Sequence, residues 1–115
     1  MRSYFDRCPK SLLLLLPAFF IGCASALYSP SQQDVTWANR NGISTSLSRL
    51  REGRILYVQT CAGCHNLPRP EKYAPQKWPK LVREMVREQD VQLESRDSTL
   101  MVEFLRVASE RSGTP

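Results

Sequence analysis

One pentapeptide, Cys61-Ala62-Gly63-Cys64-His65, constrains this chain more than any other stretch. Two thiols separated by two residues can reach both vinyl groups of one porphyrin from a single tight turn, and the histidine that follows can bind the iron. The motif therefore predicts one covalent haem c, held through Cys61 and Cys64, with His65 as the proximal iron ligand. A thioredoxin-like pair would need a βαβ context. A zinc site would need two further ligands, whereas this chain has one histidine and no second Cys-x-x-Cys.

The first quarter of the chain is typical of an export signal. Three basic residues precede an apolar run over residues 12–21, which is too short to cross a bilayer as a helix. We expect residues 1–22 to be a lipoprotein-type signal peptide and Cys23 to carry the lipid. Cleavage after Ala26 and an uncleaved membrane anchor are the alternatives. Both cleavage routes predict a periplasmic domain, attached to the membrane surface if Cys23 is lipidated. Haem attachment of this kind takes place in the same compartment.

Length and charge restrict the remaining possibilities. Removal of residues 1–22 takes away three basic and one acidic side chain, so the formal charge falls from +5 to +3. Two haem propionates would nearly cancel that charge, and no aromatic and basic constellation predicts binding to nucleic acid. The roughly 90 residues left would form a thin hydrophobic core by themselves. A haem would supply the missing apolar mass.

Two parts follow the leader. Residues 23–45 are polar and lack a sustained period, which predicts a flexible spacer that would act as a tether behind Cys23. Val35 and Trp37 are the exceptions that could lie against the domain. Residues 46–111 are then expected to form the haem domain.

Three amphipathic helices are predicted in this domain, over residues 46–60, 76–89 and about 97–110. Ser44 or Ser46 would cap the first helix, Pro79 fits the first turn of the second, and Ser95 or Asp97 would cap the third. Three prolines between the first two helices predict a stiff extended loop that leaves directly from His65. The carbonyl of Pro68 or Pro70 is the expected acceptor for the second ring nitrogen of His65.

The distal iron ligand is sought among the methionines, because His65 is the only histidine. Outside the leader there are two, Met85 and Met101. Met85 belongs to an apolar stripe on the second predicted helix, formed by Trp78, Leu81, Val82, Met85 and Val86. A stripe of this kind more often forms core than a ligand site.

The stretch from Gly53 to Tyr57, followed by the pentapeptide, resembles the N-terminal helix and haem site of small class I c-type cytochromes. The resemblance implies an all-α fold of about three helices around one haem. It also implies a close crossing in which Gly53 and Tyr57 face Leu100 and Phe104 of the last helix. The family order of haem motif, ligand methionine and last helix implies Met85 as the distal ligand, with Met101 as the alternative. In the best-known members the methionine lies later, in a loop.

These features together predict a function. A buried haem with histidine and methionine ligands suits one-electron transfer, and the chain offers no catalytic set of its own. We therefore expect an electron carrier, not an enzyme, that exchanges electrons with redox proteins. Exposed basic side chains would steer an acidic partner or form an ordinary solvated face; they are Lys72, Lys77, Lys80, Arg83 and Arg87. A permanently docked haem subunit of a larger oxidoreductase and a five-coordinate gas-binding haem protein are the alternatives.

Overall fold

The computed structural model describes residues 27–62 and 66–113, and the regular elements within these ranges are all helical. The predicted all-α class is confirmed for this part of the chain. Two single 3-10 turns lie between the second and third helices, at Pro70–Lys72 and Pro75–Lys77. The four helices are α1 (Gln32–Arg40), α2 (Leu47–Cys61), α3 (Trp78–Glu88) and α4 (Ser95–Arg111).

The three predicted helices are confirmed as α2, α3 and α4. The hydroxyl of Ser46 accepts the backbone N–H of Arg49 at 3.3 Å, so the predicted cap of α2 is present. Pro79 lies in the first turn of α3, where its missing N–H has no cost. The predicted cap of α4 is wrong, because the residue before the helix is Glu94, in an extended conformation.

Helices α2 and α4 cross at the predicted positions. Gly53 is buried, and a Cβ built on it would lie 2.9 Å from the Cβ of Phe104 and still closer to the carbonyl of Leu100. Only a residue without a side chain fits this approach. The rings of Tyr57 and Phe104 are 6.3 Å apart, one turn further along. The pairing of Gly53 and Tyr57 with Leu100 and Phe104 is therefore confirmed.

A flexible spacer was predicted over residues 23–45, and helix α1 corrects this for the described part, residues 27–45. The carboxylate of Asp34 accepts the backbone N–H and the hydroxyl of Ser31 at 2.7 and 2.8 Å, which starts the helix. Val35 and Ala38 are then buried, and so is Ile43 just after the helix. The segment is ordered because these apolar side chains find partners on α2 and α4. Residues 1–26, with the predicted leader and Cys23, lie outside the described residues.

Buried side chains form two clusters. The Val35 cluster joins α1 to α2 and α4 and consists of Val35, Ala38, Ile43, Leu50 and Val107. The Trp78 cluster joins α2, α3 and α4 and consists of Tyr57, Trp78, Val82, Met101, Phe104, Leu105 and Ala108. Ile55, an apolar residue of α2, is 51 % exposed. The inward face of α2 instead follows Leu50, Gly53 and Tyr57. None of the helices within residues 27–62 and 66–113 has the length and apolar character needed to cross a membrane.

Candidate functional site

The first thiol of the pentapeptide is at the end of a helix. Cys61 is the last residue of α2 and is partly buried, and Ala62 follows as the helix cap. Gly63, Cys64 and His65 lie outside the described residues. The end of α2 therefore places the start of the motif beside the Trp78 cluster, against which Cys61 packs.

An apolar groove opens beside Cys61, between the end of α2, helix α3 and helix α4. It contains about 440 Å³ of space free of protein atoms, counted with its open mouth and the solvent there. Val91 and Leu93 bring the connector between α3 and α4 to this groove, a contribution that the sequence analysis did not predict. The other main lining side chains are Cys61, Val82, Met85, Val86 and Met101.

Both candidate methionines thus line the same groove as Cys61, but their surroundings differ. Met101 is 1 % exposed and belongs to the Trp78 cluster, where it is packed by other core side chains. Met85 lies outside that cluster and is only half-buried on α3. The thioether of Met85 can turn into the groove without leaving a cavity in the core. The side chain of Met101 occupies core space, so its movement into the groove would leave a cavity.

The loop that follows His65 is held by two buried aromatic side chains. The phenol of Tyr57 donates to the carbonyl of Pro68 at 2.5 Å, and the indole Nε1 of Trp78 donates to the carbonyl of Pro70 at 3.1 Å. The Pro70 carbonyl also accepts the backbone N–H of Tyr73 at 3.4 Å. Both Tyr57 and Trp78 are 0 % exposed. Prolines have no N–H to donate, so in this loop the two side chains supply hydrogen-bond donors to the backbone carbonyls.

Burial keeps this loop anchor neutral. Burial first, and then the charges of Cys61 and Tyr73, raise the pKa of Tyr57 far above its usual value. The phenol therefore remains a hydrogen-bond donor over the whole working range of pH. The rings of Tyr57 and Tyr73 meet the indole of Trp78 edge-on, with centroids 6.1 and 5.3 Å away. No sequence pattern indicates these donor roles, although a buried tryptophan usually has a hydrogen-bond partner.

A charged network fixes the start of the described chain. Arg54 donates to the backbone carbonyls of Tyr28 and Leu27 at 3.0 and 3.3 Å. Asp34 is 1 % exposed and accepts from the phenol of Tyr28 at 2.6 Å and from Nε of Arg111 at 2.9 Å. The contact of Arg54 with the chain 26 residues earlier is not visible in any local pattern.

This network shifts two pKa values in opposite directions. Burial raises the pKa of Asp34, but the hydrogen bonds from Tyr28, Arg111 and Ser31 outweigh it, so the pKa lies below its usual value. Burial, together with the hydrogen bond to Asp34 and its charge, raises the pKa of Tyr28 to about 12. At neutral pH the carboxylate is charged and the phenol is not.

The predicted basic side chains are all exposed. Lys80 forms an ion pair with Glu84 at 3.6 Å, and Lys80, Arg83 and Arg87 line one depression between α3 and the first turns of α4. Lys72 and Lys77 lie on the two 3-10 turns before α3. Trp37, one of the two apolar exceptions in the predicted spacer, is half-buried against the Val35 cluster.

Comparisons of the chain with protein-family models, with curated proteins and with solved structures find no match. The case for a cofactor therefore depends on the donor set. Within the described ranges no three His, Cys, Asp or Glu side chains are grouped to hold a metal ion. A haem iron needs no such group, because the porphyrin supplies four ligands and the protein only the axial ones. A thiol at a helix end, an apolar groove and two thioethers beside it fit a haem c.

Proposed function

We propose that this chain is an exported mono-haem cytochrome of the class I c type that carries single electrons between redox proteins. The observation that carries the proposal is the apolar groove that Cys61, Met85 and Met101 line together. The pentapeptide alone predicts attachment of a haem. The groove adds an apolar site of suitable chemistry next to the attachment point. The crossing of Gly53 with Leu100 supports the cytochrome fold, because the resemblance had implied it.

Each residue of the site has a proposed role. Cys61 and Cys64 hold the haem covalently, and His65 binds the iron on the proximal side. Bound haem supplies a one-electron couple. Val82, Val86 and Leu93 keep water from the groove and so favour the reduced, less charged form. Met85 provides the distal thioether, and Met101 remains a core residue.

The choice between the carbonyls of Pro68 and Pro70 as acceptor for His65 depends on how many hydrogen bonds each oxygen already accepts. A carbonyl oxygen accepts two hydrogen bonds. Pro70 accepts from Trp78 and from the backbone of Tyr73. Among the described residues Pro68 accepts from Tyr57. We therefore propose the Pro68 carbonyl, in preference to that of Pro70, as the acceptor that His65 would use.

The proposed location follows from the leader and from the position of Leu27. If Cys23 carries the lipid, three residues lie between it and Leu27, whose carbonyl accepts from Arg54, so the chain makes four residue-to-residue steps. An extended chain of that length reaches about 14 Å. A lipidated protein would thus sit directly on the membrane surface instead of moving on a long tether. Leu27 and Tyr28 also border the depression formed by Leu67 and Pro70, so the proline loop would be near that surface.

The test begins with haem attachment. Full-length protein made in a host with haem-ligation machinery should stain for haem peroxidase activity on a denaturing gel. Replacement of Cys61 and Cys64 by alanine should abolish the stain. A wild-type chain without covalent haem would overturn the proposal.

The distal ligand is tested by a pair of variants. The oxidised wild-type protein should show the weak far-red band of sulfur bound to ferric iron. Met85→Ala should remove this band and let the reduced protein bind CO rapidly. Met101→Ala should keep the band and lower stability by about 3 kcal/mol, as expected for truncation of a buried methionine. Loss of the band in Met101→Ala alone would reverse the assignment. A wild-type protein that binds CO at once would favour the gas-binding alternative.

A further inference from the structure

The proline loop and helix α3 are joined by one side chain. Trp78 is the first residue of α3, and its indole N–H binds the carbonyl of Pro70 at 3.1 Å. Pro70 lies five residues after His65 in the chain, and Met85 lies seven residues after Trp78 on the same helix. One hydrogen bond thus connects the segment that leaves His65 to the helix that carries Met85.

This connection is stiff at both ends. Pro68 and Pro70 fix the φ angles of the loop, and Pro70 itself is buried. Trp78 is 0 % exposed and is packed edge-on by Tyr57 and Tyr73, so the indole cannot turn away. From Trp78 to Met85 the helix makes two turns, about 10 Å, and brings both residues to the same face.

The other loop anchor differs in one respect. Tyr57 binds the carbonyl of Pro68 from α2, the helix that ends at Cys61. It therefore fixes the loop relative to the haem attachment point. Of the two side-chain donors to the loop carbonyls, Trp78 is the one that belongs to α3, so its hydrogen bond ties the loop to the helix of the candidate distal ligand.

We propose that Trp78 is a positioning residue that sets the separation between the two axial ligands, by tying the proline loop to helix α3. This proposal rests on the proposed function. The indole N–H itself, not only the bulk of the ring, holds Met85 at the iron. Without this donor the Pro70 carbonyl loses a buried partner, the start of α3 moves relative to the loop, and Met85 leaves the iron more often.

The test compares two identical substitutions in the full-length haem-loaded protein. Trp78→Phe keeps a ring and removes the donor. Trp37→Phe is the matched control, because Trp37 is half-buried in the Val35 cluster away from the groove. We expect the CO-binding rate of reduced Trp78→Phe to rise about fivefold or more, since one weakened hydrogen bond changes a population by about that factor. In Trp78→Phe the far-red band should also vanish at a lower temperature than the helical signal. In Trp37→Phe we do not expect such a difference.

A second readout does not involve the iron. The backbone N–H of Tyr73 shares the Pro70 carbonyl with Trp78. Its hydrogen exchange should become faster in Trp78→Phe and stay unchanged in Trp37→Phe. If Trp78→Phe does not accumulate, 3-benzothienylalanine at position 78 serves instead, because it has the shape of tryptophan without the N–H.

The outcomes separate the two proposals. The positioning role alone is overturned if the wild-type protein shows the far-red band and the Trp78 variant does not differ from it. The three quantities compared are the band, the CO-binding rate and the hydrogen-exchange rate of Tyr73. Equal effects of both tryptophan substitutions also overturn it. A wild-type protein without the band overturns the histidine and methionine ligation, and the positioning role with it.

Discussion

The two hydrophobic clusters of this small protein are built differently. The Val35 cluster consists of aliphatic side chains, and Trp37 and Leu47 cover its edge. The Trp78 cluster contains three aromatic rings and is bordered by many partly buried apolar side chains, among them Cys61, Leu81, Val86 and Leu93. Several of these border residues line the groove. The Trp78 cluster borders an apolar groove, whereas the depression that reaches the Val35 cluster at Ile43 is lined mainly by polar side chains.

The difference indicates where a further apolar group is required. An open cluster that ends at a groove leaves apolar surface in water, which costs about 25 cal/mol for each Å². A haem in the groove would remove that cost. The Val35 cluster meets a surface depression at Ile43, but most side chains that line that depression are polar or charged. The stability of this cluster should therefore depend little on the cofactor.

The largest expected effect comes from removal of the haem. A chain with both Cys61 and Cys64 replaced by alanine should lose hydrogen-exchange protection in α3 and around Leu93, because these line the groove. Amides of α1 and the first half of α2 should keep more of their protection. Mass spectrometry of exchanged peptides measures both regions in one sample. Uniform loss of protection across the chain would show that the two clusters do not differ in this way.

A substitution at Gly53 should instead damage both clusters. Gly53 lies between Leu50 of the Val35 cluster and Tyr57 of the Trp78 cluster, and its neighbours on α4 include the backbone of Leu100. Gly53→Ala should lower the free energy of unfolding by about 3 kcal/mol, because a backbone carbonyl cannot move aside as a side chain can. Denaturant unfolding measures this loss.

Gly113→Ala is the control for that experiment. A Cβ at Gly113 would meet nothing within 4 Å, so its stability should equal that of the wild type. If Gly53→Ala were as stable as Gly113→Ala, the close crossing of α2 and α4 would not exist in solution.

The sequence predicted the parts of the fold that a local period specifies. Helices α2, α3 and α4 each repeat apolar residues at helical spacing, and Gly53 paired with Phe104 through the family resemblance. Helix α1 was missed because its inward face has only two apolar residues, Val35 and Ala38, beside a buried Asp34. That carboxylate is tolerated because Arg111 lies beside it from 77 residues away, and no local pattern contains such a pair.

At the candidate site the same limit applies. Composition and spacing identified Cys61, Met85 and Met101, and the groove brings these together. They did not predict Leu93, which reaches the groove from a connector without a period. Nor did they predict the acceptor of Trp78, because the Pro70 carbonyl has no side-chain signature. Backbone acceptors become visible only when the chain is folded.

The charged edge of α1 should give the protein its acid sensitivity. The pKa of Asp34 is lowered in the folded state, so its contribution to stability is complete above the ordinary aspartate pKa of about 4. The contribution is lost as the pH falls through the lowered folded pKa. Asp34→Asn should cost about 2 kcal/mol at pH 7 and should flatten the loss of stability on acidification. Glu88→Gln, an exposed change at the end of α3, should do neither.

Alkaline pH tests the partner of Asp34. The pKa of Tyr28 is raised to about 12, so the neutral phenol contributes stability below its ordinary value of about 10. That contribution is lost as the pH rises from the ordinary to the folded value. Tyr28→Phe should lack this part of the decline, while the far-red band stays unchanged because Tyr28 does not line the groove. If the alkaline loss of stability changed only in variants of the groove residues, and not in Tyr28→Phe, its attribution to Tyr28 would be wrong.

The smallest effect gives the sharpest comparison of the two clusters, because it uses the same substitution in each. Val82 belongs to the Trp78 cluster and lines the groove, whereas Val107 belongs to the Val35 cluster; their exposed fractions are 2 % and 1 %. Either residue changed to alanine loses two methyl groups, so each variant should be about 1.5 kcal/mol less stable. Only Val82→Ala should also shift the haem spectrum and speed CO binding, since only this hole adjoins the groove. If Val107→Ala changed the haem spectrum as much as Val82→Ala, the spectrum would depend on the overall stability of the protein. The proposal that the haem lies in the groove would then lose this support.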